Sequence, residues 1–152
     1  MAGAKDNNLS ASLEDYLEAI YNLAAESKVA RSKDIAKLLS VAKPSVTGAL
    51  QILRKKGLAN YEAYGFVTLT GAGRAAAAEI ARKHEILKSF LTDVLGIEPG
   101  LAQRAACKAE HTLGPKVISR LLGFIEFVGN ENDSGYDLAG KFKKYYARKR
   151  TR

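Results

Sequence analysis

The chain has 152 residues, 47% hydrophobic and 26% charged, the composition of one average folded domain or two small ones sharing a core. It lacks the ~20-residue apolar run of a membrane span, begins with the polar Met1–Asn8 rather than a secretory signal, and has one cysteine, which excludes an internal disulfide and fits a reducing cytoplasm. The net charge of +8 is uneven, with nine basic residues against Asp34 and Glu62 in 28–74 and seven basic residues with no acid in 141–152, so a polyanion, most simply double-stranded DNA, is the expected partner.

Residues 1–9 read as a disordered leader. Helical spacing begins in Leu13–Ala25, where Leu13, Leu17, Ile20 and Ala24 form one stripe. Asp15 and Glu18 fall on roughly the opposite face, turned toward solvent or a second domain. Ser32 suits an N-cap and Asp34 the first turn of a helix through Leu39, whose apolar face is Ile35, Ala36, Leu38 and Leu39. Ser40-Val41-Ala42 makes a tight turn. Pro44, whose missing N–H costs nothing in a first turn, opens a second helix running to about Lys56. Val46, Ala49, Leu50 and Leu53 face its core and Gly57 ends it. After Gly57 the period becomes alternating. Leu58–Glu62 and Phe66–Leu69 read as strands hinged at Ala63-Tyr64-Gly65. A helix-turn-helix followed by a hairpin is a winged helix, here residues 10–74, so the fold class is mainly α with a small β-hairpin wing.

Removing the core positions from the second helix leaves its DNA-facing candidates. Lys43, Pro44, Ser45, Thr47, Gly48 and Gln51 form one set, with Gln51 able to pair with an adenine edge and the small residues allowing close approach. Lys43, Arg54, Lys55 and Lys56 suit phosphates, and Tyr64 sits at the wing hinge. The plain alternative is a polar solvent face.

A long helical pattern from near Thr70 to Leu95 carries His84 among Ile80, Ile86, Leu87 and Phe90. Pro99 starts another helix through about residue 112, with Leu101, Ala105 and Ala109 as its inner stripe. Cys107, Glu110 and His111 share a face at i, i+3 and i+4. Residues 75–140 thus read as a helical domain. Asp137 caps a last short helix with apolar positions 138, 142 and 145, which frays into a basic tail over 141–152.

Asp15, Glu18, His84, Cys107, Glu110 and His111 supply two hard carboxylates, a further glutamate, imidazoles and a thiolate, the usual donors for a divalent cation. Each cluster has a plain alternative: exposed acids, a core histidine, a buried thiol beside a Glu-His pair. The chain's two histidines and one cysteine all fall into the scheme, which favours a metal-sensing repressor.

Several segments in order resemble the diphtheria toxin repressor family, which comprises iron-dependent repressors and manganese transport regulators. They are Glu14-Asp15-Tyr16-Leu17-Glu18-Ala19-Ile20-Tyr21, Lys43-Pro44-Ser45-Val46-Thr47, Leu69-Thr70-Gly71-Ala72-Gly73, Arg82-Lys83-His84 and Cys107-Lys108-Ala109-Glu110-His111. The resemblance implies a homodimeric, metal-activated winged-helix repressor of metal-uptake genes. It also implies that the helices after residue 74 form the metal-binding and dimerisation domain and that the six residues above are the ligands. The length of 152 residues and Asp15, where iron-type members carry methionine, resemble the two-domain manganese type. Cys107 is instead an iron-type residue, while Gln103 and Lys88 depart from an iron-type ancillary site. The expected cation is Mn²⁺ or Fe²⁺, and the thiolate also admits Co²⁺ or Zn²⁺.

Empty, such a cluster of acids and thiolate repels itself, and up to two cations would cancel that charge. In a dimer this would hold the recognition helices near the ~34 Å of one DNA turn. Two other readings compete. One is a winged-helix regulator that ignores metal. The other is a small metalloenzyme, against which stand the lack of a His-Glu-x-x-His motif and of a glycine-rich substrate loop.

Overall fold

The computed structural model describes residues 9–27, 29–135 and 137–150, so most of the expected leader lies outside the described residues. The chain divides into two compact units, residues 1–81 and 82–152.

The first unit contains α1 (Ala11–Ser27), β1 (Ala30–Arg31), α2 (Ser32–Leu39), α3 (Lys43–Lys55), β2 (Ala59–Tyr61), β3 (Phe66–Leu69) and the start of α4 (Gly71–Ser89). Its core is made of Leu17 and Ile20 from α1, Ile35 from α2, Val46, Leu50 and Leu53 from α3, with Leu58 and Val67, all nearly inaccessible. The buried set on α3 is Val46, Ala49, Leu50 and Leu53, the positions that its three- and four-residue spacing picked out. On α1, Tyr16 and Ala19 are buried beside Leu17 and Ile20, while Leu9 and Leu13 pack on the rim.

Backbone chemistry at the helix ends sets the angles of the helix-turn-helix. Ser40 takes a left-handed conformation (φ 54°), and the Val41 N–H reaches back to the Ala36 carbonyl. Gly57 (φ 71°) ends α3 in the same way, with the Leu58 N–H donating to Leu53 O at 2.9 Å. Two expectations for α2 are corrected. Ser32 is its first residue rather than its cap; Arg31 holds the cap position in extended backbone without a side-chain bond. Leu38 is 54% exposed, because the buried face is Ile35 and Ala36 with Leu39 at its edge.

The sheet has three antiparallel strands in the order β1-β3-β2, with Ala30 opposite Val67 and Asn60 opposite Thr68. The hairpin turns through Ala63–Gly65 with Tyr64 at φ 69° and Gly65 at φ 76°. Strand β1 was not expected, since two residues carry no readable alternation. A backbone junction ties the wing to α4: Thr70 Oγ1 donates to Gly57 O at 2.7 Å and accepts the Gly73 N–H at 3.0 Å. A Cβ at Gly73 would collide with the Leu58 carbonyl, which accounts for a glycine there.

In the second unit, the end of α4 continues into a π-helical turn over Phe90–Val94 (Leu95 N–H to Phe90 O, 3.1 Å), followed by α5 (Pro99–Asp133) and α6 (Leu138–Arg150). Its core is Leu87, Ala106, Ile118 and Leu122, flanked by Ile86, Leu91, Ala109, Leu121 and Ile125. Helix α5 runs past the expected end near residue 112 and carries a kink at Gly114 (φ 72°, ψ 163°). Pro115 follows, and proline drives the residue before it out of the helical region. The expected inner stripe of α5 is also corrected. Ala102 and Ala106 are fully buried whereas Leu101 is 49% exposed, a rotation open to a helix with alanines at 102, 105, 106 and 109. Among the described residues, no helix is long and apolar enough to cross a membrane.

Candidate metal centre and DNA-binding face

On α3, the residues left by the core form a continuous outer face. Lys43, Pro44, Ser45, Gly48, Gln51, Arg54 and Lys55 are exposed and Thr47 is half-buried. Thr47 Oγ1 donates back to Lys43 O at 3.2 Å, which satisfies its hydroxyl within the helix. A Cβ on Gly48 would meet nothing within 4 Å, so this glycine leaves room for another molecule rather than for the protein's own packing. The helix has four basic and no acidic residues if Lys56 at its end is included. At the wing tip, Tyr64 is 96% exposed.

The basic surface continues at a place the sequence reading passed over. The Arg31 guanidinium lies 5.2 Å from the centroid of Phe66, a cation–π contact that holds a charge beside the wing. Arg31, Ser32, Lys33, Tyr64 and Phe66 line a cavity of about 340 Å³ there. The signal was the excess of basic residues in 28–74, but the strand that positions Arg31 was not legible.

The structure distributes the six expected metal ligands over both units. Asp15 and Glu18 lie on α1 of the first unit, half-buried beside the buried Tyr16, Leu17 and Ala19. In the second unit, α4 and α5 bring His84 and Glu110 together: Nδ1 and Oε2 are 3.2 Å apart, with side chains 8% and 16% exposed. Cys107, one turn before Glu110 on α5, is half-buried and takes part in no disulfide. The backbone of His111 is in α5, but its side chain lies outside the described residues. Among the described residues, no group of three or more histidine, cysteine or carboxylate side chains is gathered as a ready metal cage.

The pair nonetheless fits a cation. His84 Nδ1 and Glu110 Oε2, 3.2 Å apart, are the two donors that would hold a divalent cation here. The contact between Nδ1 and the Glu110 carboxylate fixes the orientation of the ring. The Nε2 atom is buried, and among the described residues no hydrogen bond is made to that atom. Imidazole with carboxylate, and a thiol one turn away, is a donor set suited to borderline divalent metals.

The iron-dependent repressor N-terminal DNA-binding domain matches residues 8–67, and the metal-binding and dimerisation domain of the same repressors matches residues 70–134. The helix-turn-helix-type transcriptional regulator MntR of Lysinibacillus sphaericus is 34% identical over 80% of this chain and 87% of its own length. The chain belongs to the diphtheria toxin repressor family.

As a member of that family it is a metal-dependent transcriptional repressor, with a DNA-binding first domain and a helical domain for metal binding and dimerisation. An uncharacterised helix-turn-helix-type regulator of Methanocaldococcus jannaschii is 39% identical over 78% of this repressor and 95% of its own length. Among solved structures, IdeR of T. acidophilum matches with a TM-score of 0.63 at 27% identity over 74% of the repressor and 53% of that chain. The manganese regulator SloR matches with a TM-score of 0.62 at 29% identity over 76% and 54%. The repressor therefore spans about half the length of those solved chains.

Proposed function

We propose that this repressor answers to Mn²⁺ or Fe²⁺, binds an operator as a homodimer in the cytoplasm, and shuts off genes for uptake of the metal it senses. The observation that carries the reading is the buried His84–Glu110 pair, two donors of different type at 3.2 Å with a half-buried thiol one turn away. Asp15, Glu18, His84, Cys107, Glu110 and His111 form the proposed ligand set, with Co²⁺ and Zn²⁺ as weaker candidates. The similarity to SloR, described as a manganese regulator, supports the oxygen-rich side of this choice. Cys107 supports the softer metals.

Metal binding draws its effect on DNA from charge. Asp15, Glu18, Glu110 and a Cys107 thiolate are all anionic donors, and a divalent ion supplies the positive charge that offsets theirs. Lys43, Pro44, Ser45, Thr47, Gly48, Gln51, Arg54, Lys55 and Tyr64 form the proposed DNA face. Within it, Gln51 reads a base edge, while Arg54 and Lys55 set register on phosphates.

Calorimetric titration of Mn²⁺, Co²⁺ and Zn²⁺, and of Fe²⁺ without oxygen, into the metal-free protein tests the centre. Saturable binding that His84→Ala and Glu110→Ala each weaken about 10–100-fold is expected, the range for loss of a ligand or its orienting partner. Equal binding by wild type and both variants would contradict it.

A further inference from the structure

Helix α6 lies beyond residue 134, where the family's metal-binding and dimerisation domain ends, and neither the recognition helix nor the metal centre uses it. Over Leu138–Arg150 it carries Lys141, Lys143, Lys144, Arg148, Lys149 and Arg150, and no acid. All six side chains are exposed. The helix is well started: the Asp137 carboxylate accepts the Gly140 N–H at 2.7 Å, and the Lys141 N–H donates to Asp137 O. It is also held from one side. Within the second unit α6 packs against α5 and the π-helical turn, Leu138 and Phe142 are half-buried, and Phe142 stacks on Tyr146 with centroids 5.9 Å apart. The sequence suggested a tail that frays after its first turns, whereas the helix continues to Arg150.

Those facts fix where the charge goes. With Leu138 and Phe142 turned to the protein, Lys141, Lys144 and Arg148 recur at i, i+3 and i+7 and make one stripe. The stripe is ~10 Å long at 1.5 Å per residue, the axial rise of about three phosphates on one DNA strand. A fixed row of cations at that spacing, with no acid on the helix to repel a polyanion, has one abundant complement near a DNA-bound repressor. We propose that α6 is a second DNA-binding surface, a sequence-independent contact to the phosphate backbone of duplex DNA separate from the base-reading helix α3. A lipid surface fits less well. An interfacial helix needs its apolar face free for the membrane, and here that face is committed to the protein.

The test uses the full chain in chelator, so it does not depend on the metal reading. Its probe is a 40-base-pair duplex of scrambled sequence, titrated across a range of KCl by fluorescence anisotropy. Lys141→Gln/Lys144→Gln/Arg148→Gln should flatten the plot of log affinity against log salt by about two to three units, near one per lost phosphate contact. Deletion of 147–152 should flatten it too, while Lys141→Arg/Lys144→Arg should keep the wild-type slope. Circular dichroism checks that each variant retains its helices. An unchanged slope in both the neutralised and the truncated protein overturns the proposal. So does a slope that stays put while binding to vesicles of phosphatidylglycerol and phosphatidylcholine is lost, which would assign the stripe to a membrane. Failure of the metal centre would show elsewhere, as metal-independent operator binding with these slopes intact.

Discussion

His84 is a buried histidine in a helix that otherwise buries alanine and leucine, and its environment makes it an informative residue to change. Removing one partner of a buried polar pair leaves the other unsatisfied, so His84→Ala and Glu110→Ala each combine a loss of stability of about 1–3 kcal/mol with loss of metal affinity. The two effects separate experimentally. Melting in chelator reports the first, and the rise in melting temperature on adding Mn²⁺, present in wild type and absent in the variants, reports the second. Cys107 decides the hardness of the proposed ligand set. Cys107→Glu should shift metal preference toward Mn²⁺ over Co²⁺ and Zn²⁺, and Cys107→Ser should weaken the softer metals most. An unaltered order of potency in both would make Cys107 a packing residue. Gly73 belongs to the same scale: Gly73→Ala drives a methyl into the Leu58 carbonyl and should destabilise the first unit by roughly 1–3 kcal/mol, read as a lower denaturant midpoint.

At the scale of elements, Glu98 starts α5 and so carries Cys107 and Glu110. Its carboxylate accepts the backbone N–H groups of Gly100 and Leu101 at 2.7 and 2.9 Å. These bonds, the Gly100 one foremost, hold Glu98 below the ordinary carboxylate value against a smaller opposing effect of desolvation, and Arg104 adds the least. A lowered folded value means the ionised form favours the fold, so the contribution is present above the ordinary carboxylate range and is lost as pH falls through the folded value. Glu98→Ala should therefore melt below wild type at neutral pH, and the gap should close in acid; a gap independent of pH would assign it to helix propensity alone. The elements also show which signals a sequence holds. The spacing of Val46, Ala49, Leu50 and Leu53, the stop at Gly57 and the N-cap at Asp137 were legible because each is a local rule about helix faces and ends. Strand β1 and the inner face of α5 were not. Two residues have no period, and a run of alanines at 102, 105, 106 and 109 leaves the buried side to be chosen by distant partners such as Ile118 and Leu122. The site divides along the same line. Residue types and spacing on one helix named Cys107 and Glu110, whereas the approach of His84 to Glu110 across 26 residues depends on how α4 packs on α5.

For the whole molecule, the two family domains carry different jobs: DNA binding matches residues 8–67, metal binding and dimerisation residues 70–134. A metal can regulate DNA binding only by favouring the DNA-competent state over the other, and the strength of that preference sets the ceiling of the response. Arg54→Ala should weaken scrambled and operator DNA alike, whereas Gln51→Ala should relax discrimination at one base pair by about 1–3 kcal/mol, a split visible in competition assays. The central claim is that metal occupancy controls operator affinity, and it is tested most directly by measuring binding of one operator duplex by the wild-type protein in chelator and in saturating Mn²⁺ or Fe²⁺. The account predicts tenfold or tighter binding with metal, about 1.4 kcal/mol of coupling or more. Equal affinity under the two conditions would contradict it.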